Sequence, residues 1–393
     1  MDVRSDRIDS HGVQCSDGNY AFVLIDITLM FIDIRASHQG VITAVGADCP
    51  STLSVGDRVA IEAGQYCKTC ARCKEGRYNL CPSMRFASSA KTYPHLDGTL
   101  QTYLNWPHWG VHRLPDSISF AAGALMEPLS VVLQSMQRTQ LQAKESVLVV
   151  GAGAVGLLAC AAAKAWGARF VAAVDIDEER LRFAKENGWL DAIHLLPKRD
   201  PSHSAHQDMA DYRTRRDQED KAAMAAAKAT AADITAAFLP PSSMQEGFDV
   251  IYECTGVPSC VQFSIFAARP GGRVGLIGMG SPIQTLPIGA AALREVDLIG
   301  VFRYANTYPT AIELLSGGGC GKDTRATATE GTSANGASGL ALASIEKLIS
   351  HRYVLEQAPE AFETLARGKS ADGRGVTKVF VVADEGDDAR GSA

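Results

Sequence analysis

One stretch limits the possible folds more than any other: Ser146-Val-Leu-Val-Val-Gly-Ala-Gly-Ala-Val-Gly156, followed directly by Leu157-Leu-Ala-Cys-Ala-Ala-Ala-Lys-Ala-Trp166. The short unbroken apolar run reads as a strand buried on both faces, and the alanine-rich run after the glycines reads as a helix that ends at Gly167. Phe170 to Val174 is a second apolar strand closed by Asp175, and Asp177 to Asn187 is an amphipathic helix stopped at Gly188. Two strand–helix units in succession require a parallel sheet. Phe248–Cys254, Gly272–Gly278 and Val296–Phe302 supply further strands, so a doubly wound α/β unit is expected over about residues 129–302.

The glycines have separable jobs in such a unit. Gly151 permits the tight turn, Gly153 lets backbone approach a pyrophosphate, and Gly156 lets helix and strand pack closely. Free N–H groups at the start of the helix bind the phosphates. Asp175, about 24 residues after Gly151, would accept hydrogen bonds from both adenosine ribose hydroxyls and repel a 2′-phosphate, which favours NAD over NADP.

At 393 residues the chain is long enough for two domains, and one small module is excluded. Lys plus Arg less Asp plus Glu is 38 − 44 = −6, which gives no positive field for nucleic acid or an anionic membrane. The longest apolar stretch, Tyr20 to Ile34, is shorter than the roughly 20 residues of a membrane helix and contains Asp26 and Asp33, so it reads as buried strand. The N-terminus has no basic-then-apolar leader, and a cytoplasmic location is the expectation.

Residues before 129 form short strand-like runs such as Gly40–Gly46 and Val55–Ile61, as a compact β domain would. Within them Cys67, Cys70, Cys73 and Cys81 follow the spacing C-x2-C-x2-C-x7-C, which suits a closed tetrahedral zinc site that ties a lobe together and leaves no position open for chemistry. Two disulfides are the alternative, disfavoured in a reducing compartment. Two stretches look inserted. Residues 197–247 exceed what one crossover helix needs, and their basic and acidic side chains cancel before an alanine-rich run, Ala222 to Ala237. A solvated helical excursion is expected there, with a partner-binding arm as the alternative. Residues 317–339, rich in Gly, Ser, Thr and Ala, read as a mobile loop.

Several runs together, Gly56–Glu62, Gly76–Cys81, Gly123–Ser130, Gly151–Gly156, Glu253–Gly256 and Gly300–Tyr304, make the chain resemble the zinc-dependent medium-chain dehydrogenases. Within them it resembles the sorbitol, xylitol and L-arabinitol dehydrogenase branch. The resemblance implies a GroES-like β-rich catalytic domain built from residues 1–128 and 303–393, around a Rossmann domain over 129–302, with the active site in the cleft between them. It implies transfer of a hydride from a secondary hydroxyl of a polyol to NAD, at a catalytic zinc, and a homotetramer. It assigns Glu127 to the catalytic zinc or its water, Arg303 and Tyr304 to the substrate hydroxyls, and Val155, Arg180, Ile277, Gly278, Met279, Val301, Phe302 and Arg303 to the cofactor, alongside the glycines and Asp175. Glu127 as an ordinary ion-pair carboxylate, and Arg303 and Tyr304 as packing residues, are the plainer alternatives.

The first 40 residues depart from this pattern. Where the family carries its first zinc-binding cysteine, Gln14 stands, with Cys15 one residue later; Asn19 replaces a histidine, and Ala36 occupies the place of the ligand histidine, with His38 two residues on. Cys15 and His38 are the remaining candidates for the catalytic metal. A slip of one residue in extended backbone reverses the side chain. Two readings follow: an active polyol dehydrogenase, or a homologue that keeps NAD and the structural zinc and lacks the catalytic one. A zinc-independent quinone reductase is a further enzymatic alternative, against which the cysteine lobe argues.

Overall fold

The computed structural model describes residues 22–31, 38–89, 93–198, 212–239, 246–317, 342 and 344–382. Two sheets organise them. The first has seven strands: β1 (Phe22–Phe31), β2 (His38–Val45), β3 (Arg58–Ile61), β6 (Tyr103–Pro107), β7 (Val111–Arg113), β14 (His351–Val354) and β15 (Val379–Val382), while the short β4 (Gly64–Gln65) and β5 (Arg85–Phe86) pair with each other. Its order is β14-β15-β1-β2-β3-β7, with β6 also on β1. The apolar run that reads as strand in the sequence is therefore the hub of this sheet. One edge of β1 takes β2, and the other takes β6 over Phe22–Asp26 and β15 over Leu29–Phe31. Val23 and Ile25 are completely buried, as a strand paired on both edges in a covered sheet requires.

The second sheet holds β8 (Ser146–Val150), β9 (Phe170–Asp175), β10 (Ala192–Leu195), β11 (Phe248–Glu253), β12 (Ala268–Leu276) and β13 (Asp297–Gly300), all parallel in the order β10-β9-β8-β11-β12-β13. That is a doubly wound Rossmann order, and it reverses between β8 and β11, where the carboxyl ends open a crevice. Alternation along β8 shows why its sequence is apolar from Val147 to Val150. Val147 and Val149 enter the core shared with the first sheet, and Leu148 and Val150 enter a second core on the opposite face.

Helices α1 (Ala71–Lys74), α2 (Phe120–Ala124), α3 (Met126–Thr139), α4 (Ala154–Ala165), α5 (Glu178–Glu186), α6 (Tyr212–Phe238) and α7 (Pro258–Ala267) precede α8 (Ile288–Ala292), α9 (Tyr308–Leu315) and α10 (Ala358–Arg367). Asp177 caps α5, its carboxylate accepting from the N–H groups of Glu179 and Arg180. The excursion expected over 197–247 needs correction. Its helix, α6, is the crossover between β10 and β11, and Ala227, Ala231 and Ile234, at i, i+4 and i+7, are buried in the second core. The sequence hides this because the inward stripe is mostly alanine. The stretch expected to be a mobile loop lies almost wholly outside the described residues. No described helix is long and apolar enough to cross a membrane.

Candidate functional site

At the crevice, β8 runs into Gly151, whose φ of +97° an L side chain rarely adopts and whose absent Cβ would stand 2.6 Å from the Thr255 methyl group. A Cβ on Gly156 would stand 1.8 Å from Gly151 O, so the helix-to-strand contact exists only with glycine. Gly153, by contrast, meets nothing within 4 Å and is the N-cap of α4 without any side-chain cap. The arrangement fits a pyrophosphate: open space over backbone, and first-turn N–H groups left for an anion.

Asp175 closes β9 beside this turn. Its Oδ2 accepts from Ala152 N at 2.5 Å and its Oδ1 from Asp177 N at 2.8 Å, which fixes the carboxylate against the glycine loop. A carboxylate offers about four lone-pair sites, so acceptor capacity remains for ribose hydroxyls. Arg180 pairs with Asp177 at 3.5 Å and donates to Val376 O at 3.3 Å, tying α5 to the returning C-terminal segment. Val155 is half-buried in the first turn of α4.

Sequence reasoning gave no role to Glu253, at the end of β11. Its carboxylate accepts from Thr255 N at 2.9 Å, Gly256 N at 3.0 Å and the Thr255 hydroxyl. Burial pushes its pKa up, opposed by those donors. The turn it ties presses on the one after β12, since a Cβ on Gly280 would lie 1.7 Å from Gly256 O. Ile277, Gly278 and Met279 thereby sit along the crevice; Ile277 N and Gly278 N both donate to Glu253 O at 2.9 Å, and Met279 is exposed. Val301 N donates to Leu276 O at 3.1 Å, holding the chain beyond β13 against the same strand end, with Phe302 exposed next to it.

Glu127 lies half-buried in the first turn of α3. Tyr304 is buried nearby. Burial pushes its phenol well up, with Tyr308 and the charges of Glu127 and Glu62 adding to the effect. Its hydroxyl makes no hydrogen bond of ordinary geometry, an unusual state for a buried polar group and one that a ligand hydroxyl would relieve. Glu62 itself, buried at the end of β3, is 3.2 Å from His112 Nε2, whose ring stacks on Tyr308 at 4.8 Å. Nothing in the local sequence around Glu62 marks this contact. Ala305 N donates to Gln134 Oε1 at 3.1 Å, and Tyr308 Oη to Ile61 O at 2.9 Å, so this segment bridges α3 and β3.

Arg303 and Asn306 have φ of +49° and +60°. At Arg303 this costs roughly 1–3 kcal/mol and persists only where surroundings enforce it, whereas an asparagine side chain tolerates the region. The Arg303 guanidinium lies 3.8 Å over the Phe86 ring. Of the other two candidates for a catalytic metal, Cys15 lies outside the described residues. His38 opens β2, opposite Met30 and Ile61. Among the described residues the one group of three or more metal-ligating side chains is the cysteine cluster.

That cluster fits zinc. Its sulfurs lie within 4.8 Å of one another, with Cys67–Cys73 at 3.9 Å, Cys70–Cys73 at 3.5 Å and Cys67–Cys81 at 3.6 Å. A tetrahedron with metal–sulfur bonds of about 2.3 Å has edges of about 3.8 Å, whereas a disulfide needs about 2.0 Å. The Thr69 hydroxyl, then the Cys70 N–H, hold the Cys67 thiol down to about 6, while burial pushes Cys73 up to about 12.

Residues 31–116 match the family of alcohol dehydrogenase GroES-like domains and residues 154–317 that of zinc-binding dehydrogenases. An L-arabinitol 4-dehydrogenase of Talaromyces emersonii is 36% identical over 88% of this chain and 76% of its own length. A sorbitol dehydrogenase of Gallus gallus is 35% identical over 92% of this chain and 86% of its own. Among solved structures, L-idonate 5-dehydrogenase of Escherichia coli shares the fold, with a TM-score of 0.66 at 22% identity over 93% of this chain and 91% of that one. Galactitol-1-phosphate dehydrogenase of Escherichia coli does so at 0.67 and 23%, over 95% and 96%. With both parts of the fold matched and relatives more than a third identical along most of its length, the chain belongs to the polyol branch of the zinc-dependent medium-chain dehydrogenases.

Proposed function

We propose that the protein oxidises a secondary hydroxyl of a polyol of the sorbitol, xylitol or L-arabinitol kind to the ketose, with NAD as acceptor. In balance, the alcohol and NAD+ give ketose, NADH and one proton. The observation that carries this reading is Tyr304. Its buried hydroxyl, which interacts with Tyr308 but completes no hydrogen bond of ordinary geometry, near the charges of Glu127 and Glu62 and next to Arg303, suits recognition of extra substrate hydroxyls. A site built to hydrogen-bond a hydroxyl rejects analogues that lack it, because its own polar groups are then left unpaired.

A catalytic zinc held by Cys15, His38 and Glu127 would supply the Lewis acidity that lowers the pKa of the reacting hydroxyl, and NAD would supply the hydride acceptor. The chain's own residues do the rest. The turn at Gly151, Gly153 and Gly156 holds the pyrophosphate, and Asp175 takes the ribose hydroxyls and repels a 2′-phosphate. Val155, Arg180, Ile277, Gly278, Met279, Val301 and Phe302 line the remaining cofactor path. Arg303 and Tyr304 bind substrate hydroxyls away from the reacting carbon, which orients that carbon toward the nicotinamide. Cys67, Cys70, Cys73 and Cys81 hold a structural zinc. The division into 1–128, 129–302 and 303–393 accords with this reading, since every strand of the parallel sheet lies between residues 146 and 300 and the other sheet draws on both chain ends.

A second reading has its own support. Gln14 stands where the resembled family carries its first zinc-binding cysteine, and a slip of one residue in extended backbone turns Cys15 the other way. On that reading the protein binds NAD and the structural zinc without turnover. NADH formation from sorbitol, xylitol and L-arabinitol, with 2-propanol as a simple secondary alcohol for comparison, separates the two. Turnover of polyols over 2-propanol supports the enzyme, and NADH binding without turnover supports the second reading.

A further inference from the structure

Between the third and fourth cysteines the chain reads Lys74-Glu-Gly-Arg-Tyr-Asn-Leu80, and three groups in it reach the segment after β13. Asn79 Nδ2 donates to Phe302 O at 2.8 Å, the Tyr78 hydroxyl accepts from Asn306 N at 2.7 Å, and Gly76 O accepts from Asn306 Nδ2 at 2.7 Å. Tyr78 and Asn79 are both buried. Neither is needed to close the sulfur tetrahedron. The Tyr78 ring stacks at 4.2 Å on Tyr66, the neighbour of Cys67, and Tyr66 in turn packs on Trp109 at 4.3 Å. The cysteine cluster thus fixes Tyr66 and Tyr78 from both ends, through Cys67 and Cys81.

The segment these groups grip holds one residue against its own preference: Arg303 lies in the left-handed region, which a long side chain disfavours, while Asn306 lies there as asparagine tolerates. The bonds at Phe302 O and Asn306 N enclose Arg303 and Tyr304 on either side. We propose that Tyr78 and Asn79 are positioning residues for Arg303 and Tyr304, so that the metal lobe sets affinity for the polyol as well as stability. The proposal rests on the reading of Arg303 and Tyr304 as substrate residues.

The test uses the full-length protein with Y78F, which removes one oxygen and keeps the stack, and N306G, which keeps the left-handed backbone and removes the bond to Gly76. Hydrogen–deuterium exchange over residues 301–308, zinc content, and kinetics on sorbitol and 2-propanol are measured on each. Both variants are expected to retain zinc and to exchange faster in that segment. With sorbitol, kcat/KM is expected to fall about tenfold, mostly through KM, while 2-propanol changes less than about twofold. Unchanged exchange and KM in both variants would overturn the proposal, as would equal losses on the two alcohols, which mark a general structural defect. Should the wild type turn over no alcohol, the reading of function fails, and the exchange comparison alone decides the positioning role.

Discussion

Asp175 shows what a spacing can reveal and what it cannot. That a carboxylate closes the strand beside the glycine turn was legible in the spacing. The bond to Ala152 N was not, because the loop's N–H directions are set by its backbone dihedrals. Asp175→Asn keeps the shape and removes the charge. It is expected to narrow the NAD over NADP preference about tenfold, read from kcat/KM for both cofactors. Asp249 is a second case. Burial alone would raise its pKa, but Ser146 N at 2.8 Å, the Ser146 hydroxyl at 2.7 Å and Arg269 Nε at 2.6 Å hold the carboxyl below the usual range. The stability it contributes is present above the ordinary carboxylate pKa and lost as pH falls through its lower folded value. D249N is expected to cost about 2 kcal/mol at neutral pH, and its deficit against wild type should shrink in acid. Urea unfolding across pH checks both.

Strands and helices were legible in proportion to how far their own pattern determines them. β8, β9 and α5 follow from apolar runs and caps that are local in sequence. β1 was legible as a buried strand, but its place at the centre of the first sheet was not, because its partners β2, β6 and β15 lie as far away as Val382. α6 was legible as a helix and misjudged in its surroundings. Cancelling charges and small inward residues conceal a crossover that packs at Ala227, Ala231 and Ile234. Since Ile234 is fully buried, Ile234→Ala is expected to cost about 3 kcal/mol in chemical unfolding. A solvated helix would lose almost nothing.

At the scale of the whole molecule the two sheets share one core, and side-chain bonds stitch them together. Trp189 Nε1 donates to the Ser344 hydroxyl at 2.9 Å and Lys347 Nζ to Asn187 Oδ1 at 2.9 Å, linking the parallel sheet's surroundings to the returning segment. The family was legible because its marks, the glycine turn, the cysteine lobe and the Phe302–Tyr304 run, are short and dense in chemistry. The contacts of Glu62 with His112, and of Tyr78 and Asn79 with the segment after β13, were not, since each joins residues distant in sequence. Two of the three proposed donors to a catalytic zinc, Cys15 and His38, lie in the first 40 residues. Zinc counted per chain on the sample used for polyol turnover tests that site most directly. Two ions per chain together with NADH formation are expected. One ion per chain, whether or not NADH forms, would contradict the proposed function.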